Sequence, residues 1–254
     1  MKTKRKTLAH DPSHKPAISK TRRPLRKAIR TKAGKRQFAI DLIIRGLLGL
    51  TFAFAAGLYF HNVVLELQKM NGGKADPHIV ARSISILAIG LYTLMIACLY
   101  AVRLKPLSRS AGAWPCAAAI LGGFLLSGLL LLNPHPDLPL AVRFFACLLV
   151  IGGNAFAVLI LLRLGRSFSI LPESRKLVTT GPYKIVRHPL YLAEAVATLG
   201  ALINFLSPWA FALVGAQIGL QLVRMHYEEK VLRESFPEYA SYARHTARII
   251  PGIY

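Results

Sequence analysis

The chain has 254 residues, is 54% hydrophobic, and carries 33 Lys/Arg against 11 Asp/Glu, a formal charge of +22. Such apolar content and such charge conflict within one soluble domain and agree in a membrane protein with basic loops. The three cysteines, Cys98, Cys116 and Cys147, stand in three separate apolar segments, which argues against a disulfide framework or a thiolate metal site.

Residues 1–37 hold 14 of the Lys/Arg and one acid, Asp11. They lack apolar periodicity, so a disordered basic tail is expected. Its expected role is to fix orientation and touch anionic lipid, not to bind nucleic acid. The tail is too long for a signal-peptide n-region, and further basic residues separate Arg22-Arg23 from the apolar run. Neither a cleaved leader nor a twin-arginine signal is expected.

Six apolar segments follow, at about 40–65, 79–101, 113–132, 139–162, 190–205 and 208–226. Most reach the ~20 residues that cross about 30 Å of hydrocarbon, and the fifth is shorter. The pattern predicts an all-α, polytopic membrane protein of about six transmembrane helices. Asn204, Ser207 and Pro208 mark a tight turn that makes the last two a helical hairpin. The expected division is a tail over 1–37, four membrane helices over 38–162, and a functional region over 163–254 that ends in a further helix. Arg103, Lys105 and Arg109 follow the second segment, and Arg163, Arg166, Arg175, Lys176, Lys184 and Arg187 follow the fourth. The opposite loops are poor in Lys/Arg, so both termini and the 163–189 loop are expected in the cytoplasm. The glycine pairs Gly122-Gly123 and Gly152-Gly153 lie inside segments, where close helix packing explains them.

Candidate chemistry concentrates in Gly181-Pro182-Tyr183-Lys184-Ile185-Val186-Arg187-His188-Pro189-Leu190-Tyr191, at the start of the fifth segment, with Glu194 just inside it. Polar groups at that depth are expensive and read as functional. Helical geometry adds two stripes. At 100° per residue Gln217, Gln221, Arg224 and Glu228 fall within about 60° of one another, and His188, Tyr191, Glu194 and Thr198 share a face of the preceding helix. The stripes either wall a pocket at the cytoplasmic end or hydrogen-bond to each other and hold the hairpin together. No H-E-x-x-H, P-loop, G-x-S-x-G elbow or dinucleotide fingerprint is present, and no metal is expected.

Taken in order, Leu164-Gly165-Arg166-Ser167-Phe168, Leu177-Val178, Gly181-Pro182-Tyr183, Arg187-His188-Pro189-x-Tyr191, Glu228-Glu229-x-x-Leu232, Phe236-x-x-Tyr239-x-x-Tyr242 and Arg248-x-x-Pro251 resemble the isoprenylcysteine carboxyl methyltransferase family. That family groups with the phospholipid N-methyltransferases. The resemblance covers about 163–251, and one departure is Ala193, where many members have glycine.

The resemblance implies an integral membrane methyltransferase that uses S-adenosylmethionine without a Rossmann domain. Tyr183, His188, Pro189, Tyr191, Glu228 and Glu229 are then the expected cofactor-binding residues, and Arg187 and Glu228 the expected catalytic ones. The tyrosines suit the sulfonium or adenine, the glutamates suit the ammonium or ribose hydroxyls, and the fork of Arg187 suits an anionic acceptor. The acceptor is expected to be lipidic or small: a prenylated cysteine carboxylate or similar carboxylate, a thiol or an amine. Two other readings stand beside this one. One is an NADPH-dependent membrane reductase of sterol-reductase type, and the other is a non-catalytic scaffold.

Overall fold

The computed structural model describes residues 32–70, 76–110, 112–132, 135 and 138–252. The chain divides into two compact units, Met1–Ile44 and Arg45–Tyr254. Of the tail expected over 1–37, residues 1–31 lie outside the described residues. The first helix, α1 (Lys32–Gln68), begins within the remainder, where Lys, Ala, Arg and Gln are favourable helix formers.

The second unit continues α1 and adds α2 (Pro77–Val102), a two-residue strand β1 (Ser108–Arg109), and α3 (Ala113–Phe124) extended by a 3-10 helix (Leu125–Leu131). Next come α4 (Leu140–Leu164), strand β2 (Glu173–Ser174), a 3-10 turn (Gly181–Lys184), α5 (Pro189–Phe205), α6 (Pro208–Ser235) and α7 (Tyr239–His245). Helix starts follow their capping signals. Asp76 accepts from the backbone N–H of His78 at 2.8 Å, with Pro77 opening α2. Ser207 accepts from Ala210 N–H at 3.2 Å, with Pro208 opening α6. The predicted hairpin turn is therefore real, and between α5 and α6 it is only Leu206 and Ser207, Leu206 taking a φ of 29°.

Among the described residues three helices are long and apolar enough to cross a membrane: Phe38–Gln68, Pro77–Val102 and Leu140–Ser167. This differs from the six expected. Ala113–Leu129 and Pro189–Phe205 are shorter apolar helices, and α6 runs on past residue 226 into charged sequence as far as Ser235. Large apolar side chains such as Leu50, Phe54, Leu131, Leu148 and Trp209 are exposed. A band of that kind is solvated by lipid, not water, and the chain is an integral membrane protein.

Helix α5 packs chiefly on α4 and only lightly on its hairpin partner α6. The α4–α5 contact is backbone on backbone. A Cβ added at Gly153 would sit 2.5 Å from Ala197 N and 2.8 Å from Ala193 O, and one at Gly200 would sit 2.5 Å from Ala146 O. Ala193 is fully buried, so the close approach that glycine would permit at 193 is supplied from α4 by Gly153. Of the two glycine pairs, Gly153 and Gly122 sit at packed contacts, whereas a Cβ on Gly152 would meet nothing within 4 Å.

Gly200→Ala should therefore lower stability by about 1–3 kcal/mol through overpacking. Gly152→Ala should be neutral or gain about 0.5–1 kcal/mol from the lost flexibility of glycine in a helix. Thermal unfolding of the two variants in the same detergent checks this; equal midpoints would remove the backbone contact as the reason for Gly200.

Candidate active site

The segment between α4 and α5 is irregular, and its backbone groups find partners at the C-terminal ends of α2 and α4. Leu104 N–H donates to Arg166 O at 2.7 Å, and the Arg166 side chain donates to Val102 O at 2.8 Å. Strands β1 and β2 pair antiparallel, Ser108 with Ser174 and Arg109 with Glu173. Their register brings three guanidinium groups to the Glu173 carboxylate: Arg175 at 2.5 Å, Arg109 at 2.8 Å and Arg103 at 4.0 Å. Arg103 and Arg175 have fully buried side chains, and Arg103 lies 4.5 Å from the centre of the Tyr100 ring. Buried cations survive only when paired in this way, and the cluster still carries more positive than negative charge.

A second carboxylate ties the C-terminal segment back to the start of α5. Val186 bridges Ala247 in parallel, Arg187 N–H donates to Ala247 O at 2.8 Å, and His188 N–H donates to Arg248 O at 3.0 Å. Glu229 sits beneath this junction. Arg187 Nε lies at 3.1 Å, His188 Nε2 at 3.0 Å, Arg248 Nε at 3.2 Å and Arg233 Nη2 at 3.3 Å from its oxygens. Burial would raise the Glu229 carboxyl, but the His188 hydrogen bond and the charges of Arg248 and Arg187 override it and hold the group at about 2. Arg187 Nη1 donates to Ala243 O at 2.5 Å and to Thr246 O at 2.8 Å.

Above the junction lies a cavity of about 120 Å³. Tyr183, His188, Tyr191, Glu228, Tyr239 and Tyr242 form one side of it, and Arg175 and Lys176 line it as well. Tyr242 OH donates to Tyr183 O at 2.7 Å, fixing two of the rings. Glu228 accepts from Tyr191 OH. Burial pushes the Glu228 carboxyl up, against the opposing pull of Arg224, His188 and the Tyr191 hydrogen bond. Burial likewise raises Tyr183, helped by Glu228, and pushes Tyr242 up to about 12. These phenols stay neutral and present ring faces and O–H groups.

A larger cavity of about 280 Å³ lies alongside, among α1 to α6. Most of its lining is apolar, and Leu190 lines both cavities. The partition is polar. Arg224 stacks 5.1 Å from the centre of the Tyr191 ring and donates to Gln221 Oε1 at 2.9 Å. Gln221 donates to Glu194 at 2.6 Å, and Tyr92 OH donates to the other Glu194 oxygen at 2.5 Å. Both stripes read from the sequence thus meet, Tyr191 with Glu228 and Glu194 with Gln221. They bond to each other and wall cavities at the same time.

Five of the expected site residues line the smaller cavity: Tyr183, Arg187, His188, Tyr191 and Glu228. Two do not. Pro189 opens α5 as its first residue, and Glu229 points the other way, into the cation junction. A helical turn of 100° separates adjacent side chains, and only Glu228 continues the Gln217–Gln221–Arg224 face. Sequence reasoning missed Tyr92, Tyr239 as a cavity residue, and the Glu173 cluster. Tyr92 lies in a largely apolar stretch, and its hydroxyl, next to that of Thr93, was the available signal.

Residues 141–239 match the family model described as phospholipid methyltransferase. The chain is similar to the cobalt-zinc-cadmium resistance protein CzcN of Cupriavidus metallidurans, 38% identical over 84 residues, which is 32% of this chain and 38% of that protein. It is also similar to protein-S-isoprenylcysteine O-methyltransferase B of Arabidopsis thaliana, 34% identical over 118 residues, 43% of this chain and 59% of that enzyme. A solved structure of the eukaryotic intramembrane Ras methyltransferase, isoprenylcysteine carboxyl methyltransferase, aligns with a TM-score of 0.47 at 20% identity, covering 85% of this chain and 84% of that one. The chain spans between about two fifths and three fifths of the length of the curated relatives it matches.

The Glu229 junction makes stability fall in acid. Its carboxyl drops from 4.5 to about 2 on folding, so the unfolded state binds the proton more tightly. The stabilisation is complete above about 4.5 and is lost as pH falls towards 2. Thermal midpoints of wild type should fall across that window, and those of Glu229→Gln should start lower and change less. Parallel curves for the two proteins would assign the acid sensitivity elsewhere.

Proposed function

We propose that this chain is an S-adenosylmethionine-dependent membrane methyltransferase, with the cofactor in the smaller cavity and a lipidic acceptor in the larger. The observation that carries the reading is Glu228, a carboxylate facing a tyrosine-walled cavity that shares a wall with a hydrocarbon-lined one. The match to the phospholipid methyltransferase family model over 141–239 and the similarity to the plant isoprenylcysteine methyltransferase support it.

The residues fit the cofactor. Tyr239 OH is buried beside the smaller cavity with no hydrogen-bond partner among the described residues, an orphan donor that a ligand would satisfy. Glu228 suits an ammonium or ribose hydroxyls, and Lys176, which lines the cavity, brings positive charge for a carboxylate. The faces of Tyr183, Tyr191 and Tyr242 suit a sulfonium or an adenine. When bound, the cofactor supplies an electrophilic methyl group for in-line displacement. The protein's part is then to align and to exclude water, which the apolar larger cavity does on the acceptor side. Arg187, bound to Glu229 and two carbonyls, is a positioning residue that holds the C-terminal segment in place. The Lys/Arg-rich 163–189 side is placed in the cytoplasm, where the cofactor is, and the membrane is taken to be a bacterial inner membrane.

The NADPH reading draws on Arg175 and Lys176 as phosphate-binding cations, but Arg175 is already held by Glu173. Titrating purified protein with S-adenosylmethionine and with NADPH separates the readings: binding of the first alone is expected, binding of the second alone would replace methyl transfer with reduction, and binding of neither would favour a scaffold. Glu228→Gln should weaken S-adenosylmethionine by about ten- to a hundredfold, the equivalent of about 1.5–3 kcal/mol for a charge-assisted bond. Arg187→Lys should lower thermal stability and cofactor affinity together, because an ammonium cannot span Glu229, Ala243 O and Thr246 O. Full affinity with turnover lost would restore Arg187 to the acceptor.

A cysteine introduced at exposed Lys184 tests orientation in a variant lacking the three native cysteines. Membrane-impermeant maleimide should label it only after permeabilisation; labelling in intact cells would invert the topology.

A further inference from the structure

We infer that the larger cavity binds a single-chain amphiphile with two polar ends. Arg82 and Arg143 hold an anionic group at the end far from the cofactor cavity, and the partition receives a neutral hydroxyl. The inference rests on the reading above only in taking that cavity for a ligand site.

The cavity is polar at two ends and mostly apolar between them. Along α2, Arg82 lies ten residues before Tyr92, and along α5, Asn204 lies ten residues after Glu194. At 1.5 Å per residue both helices give about 15 Å from the partition to the far end. Arg143 belongs to that far end: its Nη2 donates to His135 O at 3.2 Å, and His135 N–H donates to Asn204 O at 2.9 Å. Arg82 shares a helix face with Ile86 and Ile89, and Arg143 with Cys147 and Val150, and all six line the cavity. An interface anchor snorkels towards lipid head groups. These two arginines lie on the cavity-facing sides of their helices instead.

Charge at the far end is positive. Glu194 is the one acidic residue among those lining the cavity, and it lies at the partition. Arg82 faces Glu66 at 3.5 Å, but Lys69 already holds the same oxygen at 2.7 Å. Arg143 bonds to a neutral carbonyl, that of His135. Two guanidinium groups in a mostly apolar enclosure favour a carboxylate or phosphate, which their planar forks match.

The partition calls for a different group. Gln217 donates to Gly122 O at 2.7 Å, and its Oε1 is buried without a hydrogen-bond partner among the described residues. Arg224 Nε is likewise buried without one, and Arg224 packs on the same glycine, where a Cβ would lie 3.1 Å from its Cδ. Both side chains line the cavity, and each residue is only 6% exposed. One vacant acceptor and one vacant donor beside one glycine match a hydroxyl, which both donates and accepts. An ammonium, a donor only, would leave Arg224 Nε unmet, and an anion would meet Glu194 as a like charge.

The spacing fixes the chain between the two ends. Bonds of about 1.5 Å advance an extended chain by about 1.25 Å per carbon, so about twelve carbons span the 15 Å. At about 280 Å³ the cavity is at the small end for ligand pockets and takes one chain, not the two of a diacyl lipid.

The test uses full-length protein in phosphatidylcholine nanodiscs and three tritiated probes of one length. They are 12-hydroxydodecanoic acid, dodecanoic acid, which lacks the hydroxyl, and 1,12-dodecanediol, which lacks the anion. Binding is corrected for empty nanodiscs, and S-adenosylmethionine affinity is measured on the same samples. The hydroxy acid should bind at least about tenfold more tightly than either other probe, as expected for one buried or charge-assisted contact. Arg82→Gln and Arg143→Gln should each weaken both acids about tenfold and leave the diol unchanged. Gln217→Met should weaken the hydroxy acid and the diol and leave dodecanoic acid unchanged. Either control probe binding as tightly as the hydroxy acid overturns the inference, as does binding of none of the three. Should Arg143→Gln not fold, Arg82→Gln decides alone, its side chain being 43% exposed; unchanged acid binding in it sinks the anion site. Probe binding without S-adenosylmethionine binding keeps this site and removes the methyltransferase reading, and the reverse result removes the site and keeps the reading.

Discussion

The C-terminal segment is fastened to the start of α5 through one carboxylate. Glu229 is met by Arg187 and His188 from before α5, by Arg233 from its own helix, and by Arg248 from beyond α7. Four cationic or hydrogen-bonding partners on two oxygens are more than a surface pair needs, and the site is buried, where removing one partner leaves uncompensated charge. Tyr239 and Tyr242 hang on the segment this junction fastens, and His188 and Tyr191 on the segment it is fastened to. The smaller cavity exists because those two segments are held at a fixed separation. Arg187 therefore lines the cavity and also shapes it through what it grips.

The partition between the cavities follows a different logic. It is built from side chains that each have one face in hydrocarbon and one in a polar network. Tyr191 gives its hydroxyl to Glu228 and its ring to Arg224, and Glu194 is shared between Tyr92 of α2 and Gln221 of α6. In a medium of low dielectric each of these contacts is stronger than in water, and each unmade one is more costly. Gln217 Oε1 and Arg224 Nε are buried in that wall without a hydrogen-bond partner among the described residues.

Much of this was legible in the sequence. The hairpin at Asn204–Pro208, the facing stripes and the separation of Glu228 from Glu229 all follow from helical period and turn chemistry, because they are local. Three of the six expected crossings are met by helices long and apolar enough among the described residues. Residues 113–132 read as one apolar span, yet helix α3 gives way to a tighter 3-10 turn at Leu125, and α6 carries its apolar start into a charged end. What could not be read was assembled from afar. Glu173 draws Arg103 and Arg109 from another loop, Tyr92 reaches Glu194 across 102 positions, and Arg187 bonds to carbonyls, which no side-chain pattern advertises. Arg187 and Glu229, both expected at the site, bond to each other at 3.1 Å, and of the two Arg187 lines the smaller cavity.

The contact between α4 and α5 has a bearing on traffic. At Gly153 and Gly200 the two backbones are so near that not even a methyl group fits between them. A flexible hydrocarbon tail needs a gap several times wider than that. The seam is thus shut to lateral exchange, and whatever passes between the larger cavity and the surrounding lipid must do so across some other pair of helices.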